Sequence, residues 1–239
     1  MKRSSLFAFG FALLASTAAS AVPVLQLDIA GGHYANGDET IVTSADSFDV
    51  YAYATPSGNT SRYTILHTTY YLSIALTPQT HAAASLGSFT VNGTTYQATA
   101  DMTYGVPPIE SNGTAGHDGG DLGSHGIYST RFLEIPFTFT AANRSGEYNT
   151  ADHAGQGPIA GHSMYYAKFS VDKSLLDDLH QLHFDLYSES VRWGDRDISK
   201  FAPFSHDAGT IAAPVPEPTA ALVFGTALLV TKLSTRRRS

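Results

Sequence analysis

Aspartate and histidine recur in three stretches where they could do chemistry: His117, Asp118, Asp121 and His125, then Asp195 and Asp197, then His206 and Asp207. Calcium takes six to eight oxygen ligands, and Asp side chains with loop carbonyls supply them readily. Asp118-Gly-Gly-Asp121 and Asp195-Arg-Asp197 could each clamp one ion, the glycines letting carbonyls turn inward. Neither stretch matches an EF-hand loop or the nonapeptide calcium repeat. The competing reading is solvated loop carboxylates and turn-forming Asp-Gly pairs. A zinc site from His117, His125, His206 and an Asp is the sharper alternative. It lacks the H-E-x-x-H spacing, and a histidine beside Ser and Asp is more often a hydrogen-bonding structural group.

Hydrolytic chemistry has fewer anchors. Ser205-His206-Asp207 sets the residue types of a catalytic triad side by side, but a triad is assembled in space and needs an oxyanion hole. Neighbours on an extended strand point to opposite faces, so an extended trio cannot converge. No G-x-S-x-G elbow occurs. A carboxylate pair for glycoside hydrolysis could come from Glu110, Glu134, Glu147 or Glu189 with an Asp, and nothing in the sequence singles out a pair. Binding chemistry rests on aromatics: Tyr51, Tyr53, Tyr70, Tyr71, Tyr165, Tyr166, Tyr187 and Trp193. Most of these tyrosines read as core strand residues. Trp193, between Arg192 and Gly194, is the candidate for stacking on sugar rings, with a core anchor as its alternative; His125 and His206 are the polar candidates beside it.

The elements that must position these groups are strands. Leu25, Leu27 and Ile29 alternate with Gln26 and Asp28, and residues 48–53, 72–76, 135–139, 165–171 and 182–186 repeat the period of two. Asn92-Gly93 between residues 89–91 and 95–98 is a two-residue hairpin signal. Only residues 174–179 read as a helical turn, with Ser174 as its cap. Seven or more short strands broken by Gly, Asn and Pro loops predict an all-β fold, a single antiparallel β-sandwich of jelly-roll or immunoglobulin-like type. Two glycine-rich loops, residues 105–126 and 152–161, interrupt it. Loops of that length are either functional or mobile.

The ends read differently. Lys2-Arg3, an apolar run over 6–15 and Ala19-Ser20-Ala21 stand in the order of a secretory signal peptide, 1–21. At the other end come Val215-Pro216-Glu217-Pro218, an apolar run over 220–230, Lys232 and Arg236-Arg237-Arg238. The run is shorter than the ~20 residues of a full membrane span, although 219–233 could span with Lys232 snorkelling. The arginines would then stay cytoplasmic. This gives three parts: signal peptide 1–21, secreted domain 22–212, and a C-terminal sorting signal 213–239 with an apolar helix and basic tail.

Removing both ends leaves 8 basic and 20 acidic residues, a net charge near −12 against −7 for the whole chain. Such a surface argues against nucleic acid as a partner and suits divalent cations and neutral or cationic polymers. The absence of cysteine excludes thiol catalysis, disulfides and Cys-ligated zinc. A domain of this length can bury a core without disulfides.

The C-terminal motif, apolar run and arginine cluster together resemble the PEP-CTERM tail of bacterial proteins. That resemblance implies transient partnership with an exosortase-type membrane protease and with secretion machinery. Residues 25–32, 124–128 (Ser-His-Gly-Ile-Tyr), 183–188 (His-Phe-Asp-Leu-Tyr-Ser) and 201–208 (Phe-Ala-Pro-Phe-Ser-His-Asp-Ala), in that order, resemble the choice-of-anchor N family. Its members look like one secreted domain on interchangeable sorting tails. The resemblance carries no catalytic residues over. The expectation is a secreted, surface- or matrix-associated, non-catalytic protein, calcium-stabilised and associated with extracellular polysaccharide. A secreted hydrolase or metal-dependent enzyme using the Asp/His loops is the alternative. N-terminal sequencing of the exported chain is expected to read Val22 first; a retained Met1 overturns the signal-peptide reading.

Overall fold

Period-2 alternation becomes strand nearly wherever it occurs. The computed structural model describes residues 24–213 apart from Asp38, Asn59, His117, Ser124 and Gly194. The signal peptide, Val22, the motif Val215 to Pro218, the apolar run and Arg236 to Arg238 lie outside the described residues. In chain order the strands are β1 (Leu25–Ile29), β2 (His33–Ala35), β3 (Thr40–Thr43), β4 (Ser47–Ala54), β5 (Tyr70–Thr77), β6 (Gly87–Val91) and β7 (Thr94–Gln97). They continue with β8 (Thr103–Gly105), β9 (Thr130–Phe137), β10 (Arg144–Ser145), β11 (Met164–Leu176), β12 (Gln181–Arg192), β13 (Asp195–Phe201) and β14 (Ala208–Thr210).

They form two sheets. One runs β1-β4-β11-β6-β7 with β10 beside β11; the other runs β2-β3-β14-β12-β5-β9-β8 with β13 beside β12. All pairings are antiparallel except β3 with β14, which is parallel, a departure from the purely antiparallel expectation. Leu27, Val50 and Phe169 of the first sheet share one buried core with Leu72, Ile74, Phe184 and Leu186 of the second. Asn92 and Gly93 turn the β6–β7 hairpin with φ of 50° and 80°, the backbone that a two-residue turn of this kind demands.

Two local expectations fail. Residues 174–179 are not a helical turn: β11 runs on to Leu176, with its register shifting between Asp172 and Leu175. Asp177 then closes a tight turn by accepting from the Leu179 and His180 amides. The helix lies elsewhere. Arg62–His67 forms α1, capped by Ser61 Oγ, which accepts from Thr64 N at 3.0 Å. No helix among the described residues is long and apolar enough to cross a membrane.

On each sheet a long loop covers part of the outer face. On β1 the alternate residues Gln26 and Asp28 are fully buried beneath the 146–161 loop. Asp28 accepts from Gly155 N at 2.7 Å, Gly157 N at 3.0 Å and Tyr148 Oη at 3.3 Å. Gln26 donates to Tyr148 O and accepts from Thr150 N. Gly155 has φ of 85°, and a Cβ there would lie 2.2 Å from Gly32 O, so the loop can sit this low only with glycine. On the other sheet the 105–128 loop covers part of the outer face, burying Val106, Leu122 and Tyr128 against Ala75 and Phe132.

Asp28→Ala strands the Gly155 and Gly157 amides, each worth about 1–3 kcal/mol, while the Tyr148 hydroxyl keeps Tyr53 and Gly157 O. A loss of roughly 3 kcal/mol is expected, read as a lower urea midpoint with earlier proteolytic cleavage in the 152–161 loop. An unchanged midpoint refutes the role of Asp28 as the fastening of that loop.

Candidate metal centres under the long loop

Strand β12 carries the chemistry through its alternation. Leu182, Phe184 and Leu186 face the core, which turns His183, Asp185 and Tyr187 outward, where all three are buried. Antiparallel pairing of His183 with Gly209 sets Asp207, just before β14, beside it. The loop supplies His125, whose ring stacks on Phe204 at 4.1 Å.

Four groups converge here. His125 Nε2 lies 3.4 Å from His183 Nε2 and 3.2 Å from Asp185 Oδ1. His183 Nε2 lies 3.5 Å from Asp185 Oδ2 and 3.4 Å from Asp207 Oδ2. Their donor atoms all fall within 4.8 Å of one another. His125 Nδ1 sits 3.0 Å from Gly123 O, so the proton of a neutral ring belongs on Nδ1 and the Nε2 lone pair faces the cluster. Asp185 Oδ2 accepts from Tyr128 Oη at 2.8 Å, and Tyr128 Oη is 2.9 Å from Ser73 Oγ. Asp207 Oδ1 is buried with no hydrogen-bond partner among the described residues. Burial works against charge on His183, but Asp185 and Asp207 outweigh it and push its pKa up to about 10. Burial likewise opposes charge on Asp185, and His183 with His125 holds it well below the usual carboxylate range. His125, His183 and Asp207 line a cavity of about 560 Å³ shared with Glu39, Thr40 and Phe204.

Further along the same face, three glutamates gather near Arg196, of which only Glu189 pairs with its guanidinium. Arg196 holds Glu189 Oε2 through Nε at 2.7 Å and Nη2 at 2.5 Å, and its amide donates to Glu110 Oε2 at 2.9 Å. Tyr187 Oη donates to Glu134, which also accepts from Ile109 N at 3.0 Å. The Arg196 guanidinium lies 5.0 Å from the centre of the Tyr71 ring.

At the loop's outer edge the aspartates collect. Carboxylates of Asp118, Asp195 and Asp197 come within 4.8 Å of one another, as do those of Glu110, Asp118 and Asp121. Asp121 Oδ2 accepts from Asp118 N at 2.6 Å and Asp118 Oδ1 from Gly120 N at 2.9 Å. Gly120 O takes the Ile198 amide at 2.8 Å. A Cβ on Gly120 would lie 1.6 Å from Asp197 Oδ1, so a side chain at 120 would push the Asp197 carboxylate out of its present position. Trp193, at the turn between β12 and β13, is 95% exposed with φ of 58°; it is not a core anchor.

The sequence candidates therefore divide. Asp118, Asp121, Asp195 and Asp197 are brought together with Glu110. His125 joins a different group, whose other members His183 and Asp185 sequence reasoning passed over. His206 joins neither: its nitrogens meet Ser205 Oγ at 2.8 Å and Asn149 Oδ1 at 2.7 Å, so it fastens chain rather than ligates. The trio 205–207 forms no triad, because Asp207 turns to His183 instead. His117 lies outside the described residues. The missed signal was an ionisable row, His183 and Asp185, alternating with a fully apolar one. No protein-family model, curated protein or solved structure matches this chain.

Burial, with Glu134 and Glu110 nearby, outweighs Arg196 and lifts the Glu189 carboxyl from its ordinary 4.5 to about 7. The folded chain prefers that carboxyl protonated, so its contribution to stability is complete below about 4.5 and is lost as pH rises through about 7. Urea midpoints measured near pH 5 and near pH 8 are expected to differ less in Glu189→Gln than in the parent. An equal difference in both proteins rules Glu189 out as the titrating group.

Proposed function

We propose that the chain is an exported, non-catalytic β-sandwich module, of jelly-roll or immunoglobulin-like type, that works at the cell surface or in the extracellular matrix by binding polysaccharide. The observation that carries this reading is Trp193. An indole left 95% exposed at a hairpin tip gains roughly 2–3 kcal/mol when a ligand covers about half of its surface. Beside it lies an open pocket of about 510 Å³ lined by Glu110, Ser111, Asn112 and Asp195, polar groups suited to sugar hydroxyls. The ring supplies the stacking face, and the carboxylates and amide supply orientation.

Calcium fits the same edge. Asp118, Asp121, Asp195, Asp197 and Glu110 offer oxygen donors only, the hard-ligand set that calcium prefers. An ion there would tie the loop to β13 and stiffen the base of the Trp193 hairpin. Export is supported by the signal-like N-terminus. The PEP-CTERM-like tail adds an exosortase-type protease and the secretion machinery as transient partners.

Titration of the full-length chain with neutral and cationic exopolysaccharides, read by tryptophan fluorescence and by calorimetry, tests the reading. At least one polysaccharide is expected to shift the emission, with Trp193→Ala weakening its binding about tenfold at unchanged melting temperature. Millimolar calcium is expected to raise the melting temperature of the parent but not of the Asp195→Asn/Asp197→Asn variant. Emission and heat that stay flat across the panel, or full binding by Trp193→Ala, sink the polysaccharide reading; a calcium shift retained by the double variant sinks the calcium site.

A further inference from the structure

We propose that His125, His183, Asp185 and Asp207 form a binding site for one divalent transition-metal ion of the zinc class, separate from the acidic edge and from Trp193. The first argument is distance. A tetrahedral zinc ion with nitrogen and oxygen ligands at about 2.0–2.2 Å holds its donor atoms roughly 3.3–3.6 Å apart. The two imidazole nitrogens lie 3.4 Å apart and His183 Nε2 is 3.4 Å from Asp207 Oδ2; Asp185 turns Oδ1 to His125 at 3.2 Å and Oδ2 to His183 at 3.5 Å, and one donor atom from each residue lies within 4.8 Å of the other three. As hydrogen bonds three of these contacts are long, since an N–H donor ordinarily sits 2.7–3.2 Å from its acceptor, and the His125–Asp185 contact lies at the upper end of that range. Nor can one proton on His183 Nε2 point at His125, Asp185 and Asp207 together. As edges of a coordination polyhedron they are ordinary.

The second argument is orientation. Gly123 O fixes the His125 proton on Nδ1 and leaves Nε2 as a donor facing the other ligands, the outer-shell contact that metal-binding histidines typically have. Tyr128, itself held by Ser73, performs the same service for Asp185 Oδ2. Asp207 is held by Thr40 and presents Oδ2 to His183, while its Oδ1 is buried without a partner among the described residues.

Charge supplies the third. Two buried carboxylates facing two imidazoles need positive charge among them. One divalent ion neutralises both aspartates and leaves both rings neutral. None of the described residues lining the adjoining cavity is Lys or Arg, so no side-chain cation there competes, and the cavity gives an ion a way in. The mixed imidazole and carboxylate set selects zinc and its neighbours over calcium or magnesium.

The test uses the full-length chain, stripped with chelator and titrated with zinc against a chromogenic chelator, and separately with cobalt(II) read by its visible spectrum. One equivalent of zinc is expected, with a rise in melting temperature, and cobalt is expected to give the intense bands of a four-coordinate nitrogen- and oxygen-ligated ion. His125→Ala and Asp207→Asn are each expected to weaken zinc binding at least about 100-fold, while Asp195→Asn/Asp197→Asn leaves it unchanged. Circular dichroism checks that the variants fold. Three results overturn the proposal: no stoichiometric zinc on the parent, a pale six-coordinate cobalt spectrum, or binding lost with Asp195 and Asp197 rather than with His125 or Asp207. The cobalt spectrum is read on the parent alone, so it decides the matter even if both ligand variants fail to fold.

Discussion

Everything in this molecule depends on how two sheets with polar outer rows are kept from water. Asp28 with Gln26 on one sheet, and His183 with Asp185 on the other, are buried, although each lies on the face turned away from the shared core. An unpaired buried charge costs several kcal/mol, so such a row survives only if whatever covers it also satisfies it. Each sheet meets that demand with one long loop. The 146–161 loop brings the Gly155 and Gly157 amides to Asp28. The 105–128 loop brings His125 and Tyr128 to Asp185. The loops are thus ordered by the polar groups beneath them, and the polar groups are tolerated because of the loops.

The strands were legible because apolar side chains at every second position admit one arrangement against a core, as in Leu25-Gln-Leu-Asp-Ile29 and His183-Phe-Asp-Leu-Tyr187. The same rule misleads about the intervening residues. Period two says that Asp28 and Asp185 face away from the core; it is silent on whether water or another loop meets them. The cover comes from residues 120 or more positions distant for Asp28 and 57 for Asp185, a separation that no local pattern encodes. The Asp118 to Asp121 and Asp195 to Asp197 stretches were easier to mark, because glycine-laced aspartates in loops advertise themselves. Their meeting depends on the Gly120–Ile198 hydrogen bond, which is again non-local. The six-residue helix escaped notice for a different reason: Arg62–His67 is too short for an apolar period to emerge, and its one signal is the Ser61 cap. At residues 174–179 the Ser174 cap signal suggested a helical turn where a shifted strand register was at work.

The second sheet's cover is fastened at several separate points, which shapes what can be learned by changing it. Leu122 and Val106 pack on Ala75 and Phe132; Ile109 O accepts from Arg196 at 2.8 Å; Gly120 O accepts from Ile198; His125 and Tyr128 reach Asp185. Contacts this dispersed act nearly independently, so loss of one leaves the others holding. A ligand-sized change at His125 therefore alters the chemistry of the cavity without freeing the loop, since the apolar and backbone fastenings remain. Asp185 is in the opposite position. It sits on a central strand with no exposure to spare, and its two oxygens meet both histidines and Tyr128. Removing it strands several buried groups at once. Function and fold are separable at the loop and inseparable at the strand, which is the expected division when a fixed sheet presents side chains and a covering loop completes the site.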